Sequence, residues 1–390
     1  STDKGFKLSP TFKINSAYSN VLVRMKDSTT TACSSDTFAI RPLSLTNVTA
    51  KVGSTDLVAS SNGAGAAMTV KAGSDFSLSA TASPSSNYSG TPSIVTANVI
   101  DVASSGAISP APLSCAFSAA DTSSGTASGT CQYREVGYFS LPVDALIDNT
   151  FTTVDQNGRD DCIVNSTSNT LSNGKYGCNF GLQTTTATIG RFVPYEFRVA
   201  SPVLTNRQAA ACSPASVFSY LDEGMRLQFS LEAREGGGGV TRNYAGTLAK
   251  LPLSNDGAAL NFAAVVPLPF TALSANRITG SGFATAWPAM GSANAGTLSL
   301  DGTVTVSSLT SATNNRVGPD GPFSGLVLGI APKDSDGVQI LSYDLDADNS
   351  SGVVGTGYAA GYTARSHVAV HVVDSDVTIL DPDHVGATPD

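Results

Sequence analysis

Apolar and polar residues alternate in short runs along most of this chain, and one such run occurs twice. In Gly73-Ser74-Asp75-Phe76-Ser77-Leu78-Ser79-Ala80-Thr81-Ala82 the apolar positions fall on every second residue. The same pattern returns in Gly224-Met225-Arg226-Leu227-Gln228-Phe229-Ser230-Leu231-Glu232-Ala233. A period of two sets these side chains on one face of a strand, which is how a half-buried sheet is built. After a loop, each run meets the same corner, Asn87-Tyr88-Ser89-Gly90-Thr91 and Asn243-Tyr244-Ala245-Gly246-Thr247. The strands are offset by 151 residues and the corners by 156, the extra residues lying in the loop with Gly236 to Gly239. A repeated strand, loop and corner predicts two copies of one domain.

Further strand signals recur between Gly, Ser and Asn turns, and no helical period is sustained. Gly129 to Val143 predicts two strands around a Glu135-Val136-Gly137 corner. Val368, Val370 and Val372 predict a late strand. Ala258 to Val266 is the best helix candidate and suits a strand equally. The fold class this predicts is all-β, with tandem immunoglobulin-like β-sandwich domains and disulfide-stapled insertions. Three segments are expected. Residues 1–32 form an N-terminal strand segment, either the end of a preceding domain or an exchanged strand. Residues 33–188 form the first sandwich, with a polar insertion at 148–181, and residues 189–390 the second.

Composition narrows the compartment. Only 14% of residues are charged, and 22 basic residues face 31 acidic ones, for a formal net charge of −9. No Lys/Arg cluster exists, which excludes a nucleic-acid footprint. No apolar run approaches the roughly 20 residues of a membrane span. The abrupt start at Ser1, with no signal peptide, is what a processed or truncated product shows. The six cysteines include two pairs with the same separation of 16 residues, Cys115 with Cys131 and Cys162 with Cys178. That spacing predicts two local disulfides and an oxidising compartment. Cys33 and Cys212 either bridge to each other or leave Cys33 to a partner outside the chain.

Several motifs then resemble one family. They are Cys33-Ser34-Ser35-Asp36-Thr37-Phe38-Ala39-Ile40-Arg41-Pro42, Tyr133-Arg134-Glu135-Val136-Gly137, Gly190-Arg191-Phe192-Val193-Pro194, Asn243 to Gly246, and Pro319 to Phe323 with Leu328 to Pro332. In this order they resemble the MshQ-like proteins, associated with biogenesis of mannose-sensitive haemagglutinin-type pili in proteobacteria. The resemblance covers residues 20–345. It implies a large secreted or cell-surface protein of tandem β-domains, encoded alongside type IV pilus machinery, and implies no catalytic residue.

The candidate chemistry is sparse. Asp344, Asp346 and Asp348 alternate in an acidic loop, a spacing that can aim three oxygens at a calcium ion. Asp155, Asn157 and Asp160 offer a second such set; a solvated turn is the plain alternative for both. Asp334-Ser335-Asp336-Gly337 is expected to be a turn only. His367 and His371 lie about 13 Å apart on a strand, too far for one ion. A Ser-His-Asp hydrolase lacks its Gly-x-Ser-x-Gly elbow, and the first 366 residues contain no histidine. Gly236 to Gly239 lacks the Lys-Ser/Thr of a phosphate loop and is expected to be a flexible hairpin tip.

The reading is a non-enzymatic, extracellular structural or adhesive protein associated with a pilus or surface appendage. One alternative is a filament subunit that polymerises by strand donation through residues 6–25. Another is a glycan-active hydrolase working through a carboxylate pair. The partners expected are other surface or pilus proteins, copies of the same chain, or surface glycans. Calcium is the one cofactor considered.

Overall fold

The computed structural model describes residues 13–26, 28–59, 69–101, 112–156, 158, 160–205, 219–220, 222–267, 270–272, 277–307, 326–330, 332–340, 368–372 and 379–380. The chain is all-β. It divides into two compact units, the first comprising Ser1–Val70, Ser74–Tyr133 and Gly137–Arg191. The second comprises Lys71–Gly73, Arg134–Val136 and Phe192–Asp390.

In the first unit the repeated strand is Asp75–Ser83. Phe76, Leu78, Ala80 and Ala82 are buried, and the residues between them are exposed or half-buried. It lies between Thr126–Tyr133 and Ser44–Val52 in a five-stranded antiparallel sheet whose edges are Leu113–Phe117 and Thr55–Asp56. A second five-stranded sheet includes Gly137–Ser140 and Thr188–Val193. The faces of the two sheets meet through aromatic rings. Phe139 lies 6.1 Å from Phe76 and 5.0 Å from Tyr133, centroid to centroid. Each such ring removes a large apolar area from water, and this closes the sandwich.

Residues 18–40 form a twisted ribbon in the same unit. Tyr18–Val21 pairs with Phe38–Ile40, and Arg24–Lys26 pairs with Thr31–Cys33. The described residues of the N-terminal segment therefore pair within their own chain.

The second unit repeats the plan. Gly224–Arg234 buries Met225, Leu227, Phe229, Leu231 and Ala233 and lies between Glu196–Thr205 and Thr297–Val306. The long strand before each repeated strand shifts register against it, between Thr46 and Thr49 in one copy and between Ala200 and Val203 in the other. A second sheet orders Phe270–Ala272, Ala263–Pro267, Leu326–Ile330 and Val368–Val372. The expected helix over 258–266 is a single 3-10 turn, Ala258–Leu260, followed by the strand Ala263–Pro267. Val265 and Val266 are β-branched and lose rotamer freedom in a helix, so the apolar run extends instead.

The repeated corner carries a buried tyrosine in each unit. Tyr88 and Tyr244 are fully buried. The Tyr88 hydroxyl donates to Asp148 Oδ2 at 2.7 Å, and the Tyr244 hydroxyl to Asp334 Oδ2 at 2.8 Å. The other oxygen of each aspartate caps a turn. Asp148 Oδ1 accepts the N–H groups of Thr150 and Phe151, and Asp334 Oδ1 those of Asp336 and Val338. Rings gather round each lock: Phe151 and Phe180 at 5.3 and 5.6 Å from Tyr88, Phe197 and Trp287 at 5.5 and 4.8 Å from Tyr244. Asp334 does more than the plain turn expected of it. The corner glycine also serves the first lock: a Cβ on Gly90 would lie 2.0 Å from Asp148 Oδ2 and 2.5 Å from the Tyr88 ring.

Removing one hydroxyl leaves a buried carboxylate oxygen without its donor. Tyr88→Phe and Tyr244→Phe are each expected to lower unfolding free energy by about 1–3 kcal/mol, read from urea midpoints at unchanged slope. Asp334 adds a pH dependence. Burial holds its carboxyl above the ordinary value, so its contribution is fully present below the unfolded carboxylate range and is lost as pH rises through the raised value. Asp334→Asn does not titrate and keeps an oxygen for the two N–H groups, but its amide meets a Tyr244 hydroxyl that already accepts the Lys250 and Leu251 N–H groups, so the variant starts less stable at low pH. Thermal scans should show stability shifting in favour of this variant as pH rises from about 3 to about 7.

Candidate functional site

The unshared part of the first unit is the insertion, and its ends are less polar than the sequence pattern implied. Phe151 and Phe180 bury themselves against Tyr88, which anchors both ends in the core. Between them the chain makes one helical turn, Thr153–Gln156, and then a loop closed by the Cys162–Cys178 disulfide. Inside that loop Ser172 and Lys175 exchange backbone hydrogen bonds. Asn173 and Gly174 both have positive φ, 49° and 78°. That is the geometry of a primed hairpin turn, and it is why an Asn-Gly pair stands at the tip.

Arg41, from the Phe38 to Pro42 motif, ties this loop to the sheet. Its Nε donates to Gly177 O at 2.8 Å, its Nη1 to Asn169 Oδ1 at 2.9 Å and to Pro42 O at 2.8 Å, and its Nη2 to Ser168 O at 3.0 Å. Asn169 completes the link by donating to Leu43 O at 2.9 Å. A planar fork of donors can satisfy several loop carbonyls at once, which an ammonium cannot do with the same geometry. Burial pushes the Arg41 guanidinium below its ordinary value.

The clamp leaves a groove of about 490 Å³, lined among others by Phe38, Arg41, Asp155, Asp161, Lys175 and Tyr176. Asp155 is buried on the helical turn and accepts the Ala39 N–H, at 3.1 and 3.3 Å to its two oxygens. Burial raises its carboxyl, and Asp161 raises it further; the Ala39 bond opposes both. The Thr152 hydroxyl donates to Cys178 O at 2.8 Å and accepts from Gln156 Nε2 at 2.9 Å. What the groove presents is acceptors and rings.

The candidate residues from the sequence fall as follows. Asp155 binds the Ala39 N–H, while Asp160 forms an ion pair with Lys175. Asn157, Asp344, Asp346, Asp348, Cys212, His367 and His384 lie outside the described residues. Among the described residues no three His, Cys, Asp or Glu side chains converge as a metal cluster would require. Cys115 pairs with Cys131 directly across neighbouring strands. Cys33 is free and exposed at the end of a ribbon strand.

In the second unit the glycine loop is a clamped turn and not a loose tip. Glu235 is buried, and its carboxylate accepts the N–H groups of Gly237 at 2.7 Å and Gly239 at 2.9 Å. Glu135 plays a similar part, accepting the N–H groups of Arg242 and Asn243, both at 2.9 Å. The sequence reading missed the roles of Arg41, Glu135 and Glu235. The motifs around Arg41 and Glu135 were visible, but their partners lie over 100 residues away.

Residues 167–359 match the family described as DUF6701, third domain. The match starts inside the Cys162–Cys178 loop and runs through most of the second unit. A search of curated proteins gives no match. Among solved structures the chain is similar to the S-layer protein SbsC, domains 5-6, with 8% identity over 87% of this chain and 98% of that one. The TM-score is 0.17, too weak a superposition to bear on function.

Losing the Arg41 fork should free the DUF6701-matching end of the insertion without unfolding the sandwich. Arg41→Ala is expected to speed tryptic cleavage after Lys175 several-fold and to lower stability by about 1.5–3 kcal/mol. Limited proteolysis alongside urea unfolding checks both.

Proposed function

We propose that this chain is a non-catalytic, extracellular structural or adhesive protein, associated with a pilus or another surface appendage. The observation that carries the compartment is the pair of closed disulfides, Cys115–Cys131 and Cys162–Cys178. Thiols kept in a reducing cytoplasm do not stay paired. The second disulfide, Cys162–Cys178, also accounts for how the polar insertion loop is ordered. Among the described residues no helix is long and apolar enough to cross a membrane. The pilus association rests on the MshQ-like motifs alone; the description of the DUF6701 match names no appendage.

The mechanism is presentation. Buried carboxylates hold turns, Arg41 holds the stapled loop, and the sheets hold both, so exposed side chains keep fixed positions towards other surface proteins, a second copy or a glycan. One observation favours a hydrolase instead: Asp155 and Asp161 both line the groove, and a carboxylate pair is the machinery of glycosidases. Asp155 is buried and accepts the Ala39 N–H, which gives it a structural role in either reading.

Peptide mapping without reduction, on protein recovered outside the cell, is expected to yield the Cys115–Cys131 and Cys162–Cys178 peptides. Recovery only from the cytoplasm, with free thiols at these positions, sinks the reading. Cys162→Ser with Cys178→Ser should lower stability by about 2–4 kcal/mol in urea unfolding, as expected for opening a loop of this length.

A further inference from the structure

We infer that the groove beside the Cys162–Cys178 loop is a saccharide-binding site that takes a neutral glycan ring, stacked on Tyr176 and hydrogen-bonded to Asp155. The inference deepens the adhesive reading above and rests on it, since it gives the displayed surface a ligand.

Three observations converge. The first is where aromatic rings remain exposed. Among the described residues the exposed aromatic side chains are Tyr18, Phe38 and Tyr176, and Phe38 and Tyr176 both line this groove. Tyr176 keeps 51% of its surface accessible although the Asn-Gly turn and the disulfide hold its backbone. A single exposed ring is ordinary, but two lining one groove give an apolar surface that a ligand can cover. The C–H face of a pyranose is apolar enough to do so while its hydroxyls point elsewhere.

The second is the buried acceptor. Asp155 is 8% exposed and accepts one backbone N–H, so its carboxylate has further lone pairs at the groove wall. A carboxylate accepts from hydroxyls in short, charge-assisted bonds, and two oxygens can serve adjacent hydroxyls of one ring.

The third is charge. Arg41, Lys175, Asp155 and Asp161 all line the groove, two of each sign. Both cations already have partners. Arg41 spends its fork on Gly177, Pro42, Asn169 and Ser168, and Lys175 pairs with Asp160. A neutral polyol uses the acceptors without adding an unpaired charge. The volume, about 490 Å³, suits about one or two sugar rings within the usual range for ligand clefts.

The test is a glycan array carrying neutral, anionic and amine-bearing saccharides, probed with the full chain, with hits followed by calorimetry. The expected result is retention of a neutral glycan, weakened at least about tenfold in Tyr176→Ala. Because Tyr176 is half exposed, that variant should melt as the parent does; Asp155→Asn gives a second, isosteric loss. Val203→Ser, an exposed change in the second unit, should bind as the parent. Failure to retain any neutral saccharide, retention of charged ones only, or undiminished binding by Tyr176→Ala overturns the site. Protein found outside the cell with both disulfides closed, yet binding nothing, overturns the site alone. Release of new reducing ends from the bound glycan supports the site and overturns the non-catalytic reading.

Discussion

Each unit is built around a buried tyrosine hydroxyl that donates to a buried aspartate. The bond does two things that packing alone does not. It fixes the corner after the repeated strand, because Tyr88 and Tyr244 can turn inward only where an acceptor waits. It also fixes a distant turn, because the second oxygen of Asp148 or Asp334 is spent on backbone N–H groups. A buried carboxylate without such partners is strongly unfavourable, so corner, turn and surrounding rings are stable only together. The Asn of each corner extends the same logic. Its side-chain amide donates to a remote carbonyl, Ala17 O for Asn87 and Val136 O for Asn243.

The locks explain why the insertion can be polar and still be ordered. Phe151 follows Asp148 by three residues, and Phe180 pairs its backbone with Asp148. Both ring the first tyrosine, so the loop between them leaves and re-enters at fixed points. Closing a loop whose ends are already set loses less chain entropy than closing a free one. The disulfide and the Arg41 fork then act on a short remaining span. That economy holds Asp155 buried in the groove wall and Lys175 and Tyr176 above it with defined positions.

How much of this the sequence disclosed follows from the range of each interaction. Phe76, Leu78, Ala80 and Ala82 announce a strand because the period of two is local, and the second copy confirms it. The Asn-Tyr corner was legible as a repeat for the same reason. Its partner was not: Asp148 and Asp334 stand 60 and 90 residues beyond their tyrosines. Each also sits among the Asn, Thr, Ser or Gly of an ordinary turn. Asp155 and Asp160 share a calcium-like spacing on paper, yet one carboxylate turns to the Ala39 N–H and the other to Lys175. Spacing gives ligand type and leaves direction open. Arg41 was part of a recognised motif, but the carbonyls that use it belong to residues 168 and 177 and carry no side-chain signal at all.

The placing of the insertion follows from the same comparison. In the first unit Tyr18–Val21 pairs with Phe38–Ile40, and the chain runs through Pro42 into the long strand Ser44–Val52. Gly137–Ser140 likewise neighbours Thr188–Val193, and the chain runs through Pro194 into Glu196–Thr205. Between the first pair the chain makes only a ribbon; between the second it makes the helical turn, the disulfide loop and the groove. A connection between two already paired strands tolerates added length because its ends are held by the ladder and not by the loop itself. New surface can therefore be added there without disturbing the Tyr–Asp lock or the strand register. That freedom explains why Tyr176 and the groove carboxylates Asp155 and Asp161 belong to one connection, while the repeated strands keep one face for the core.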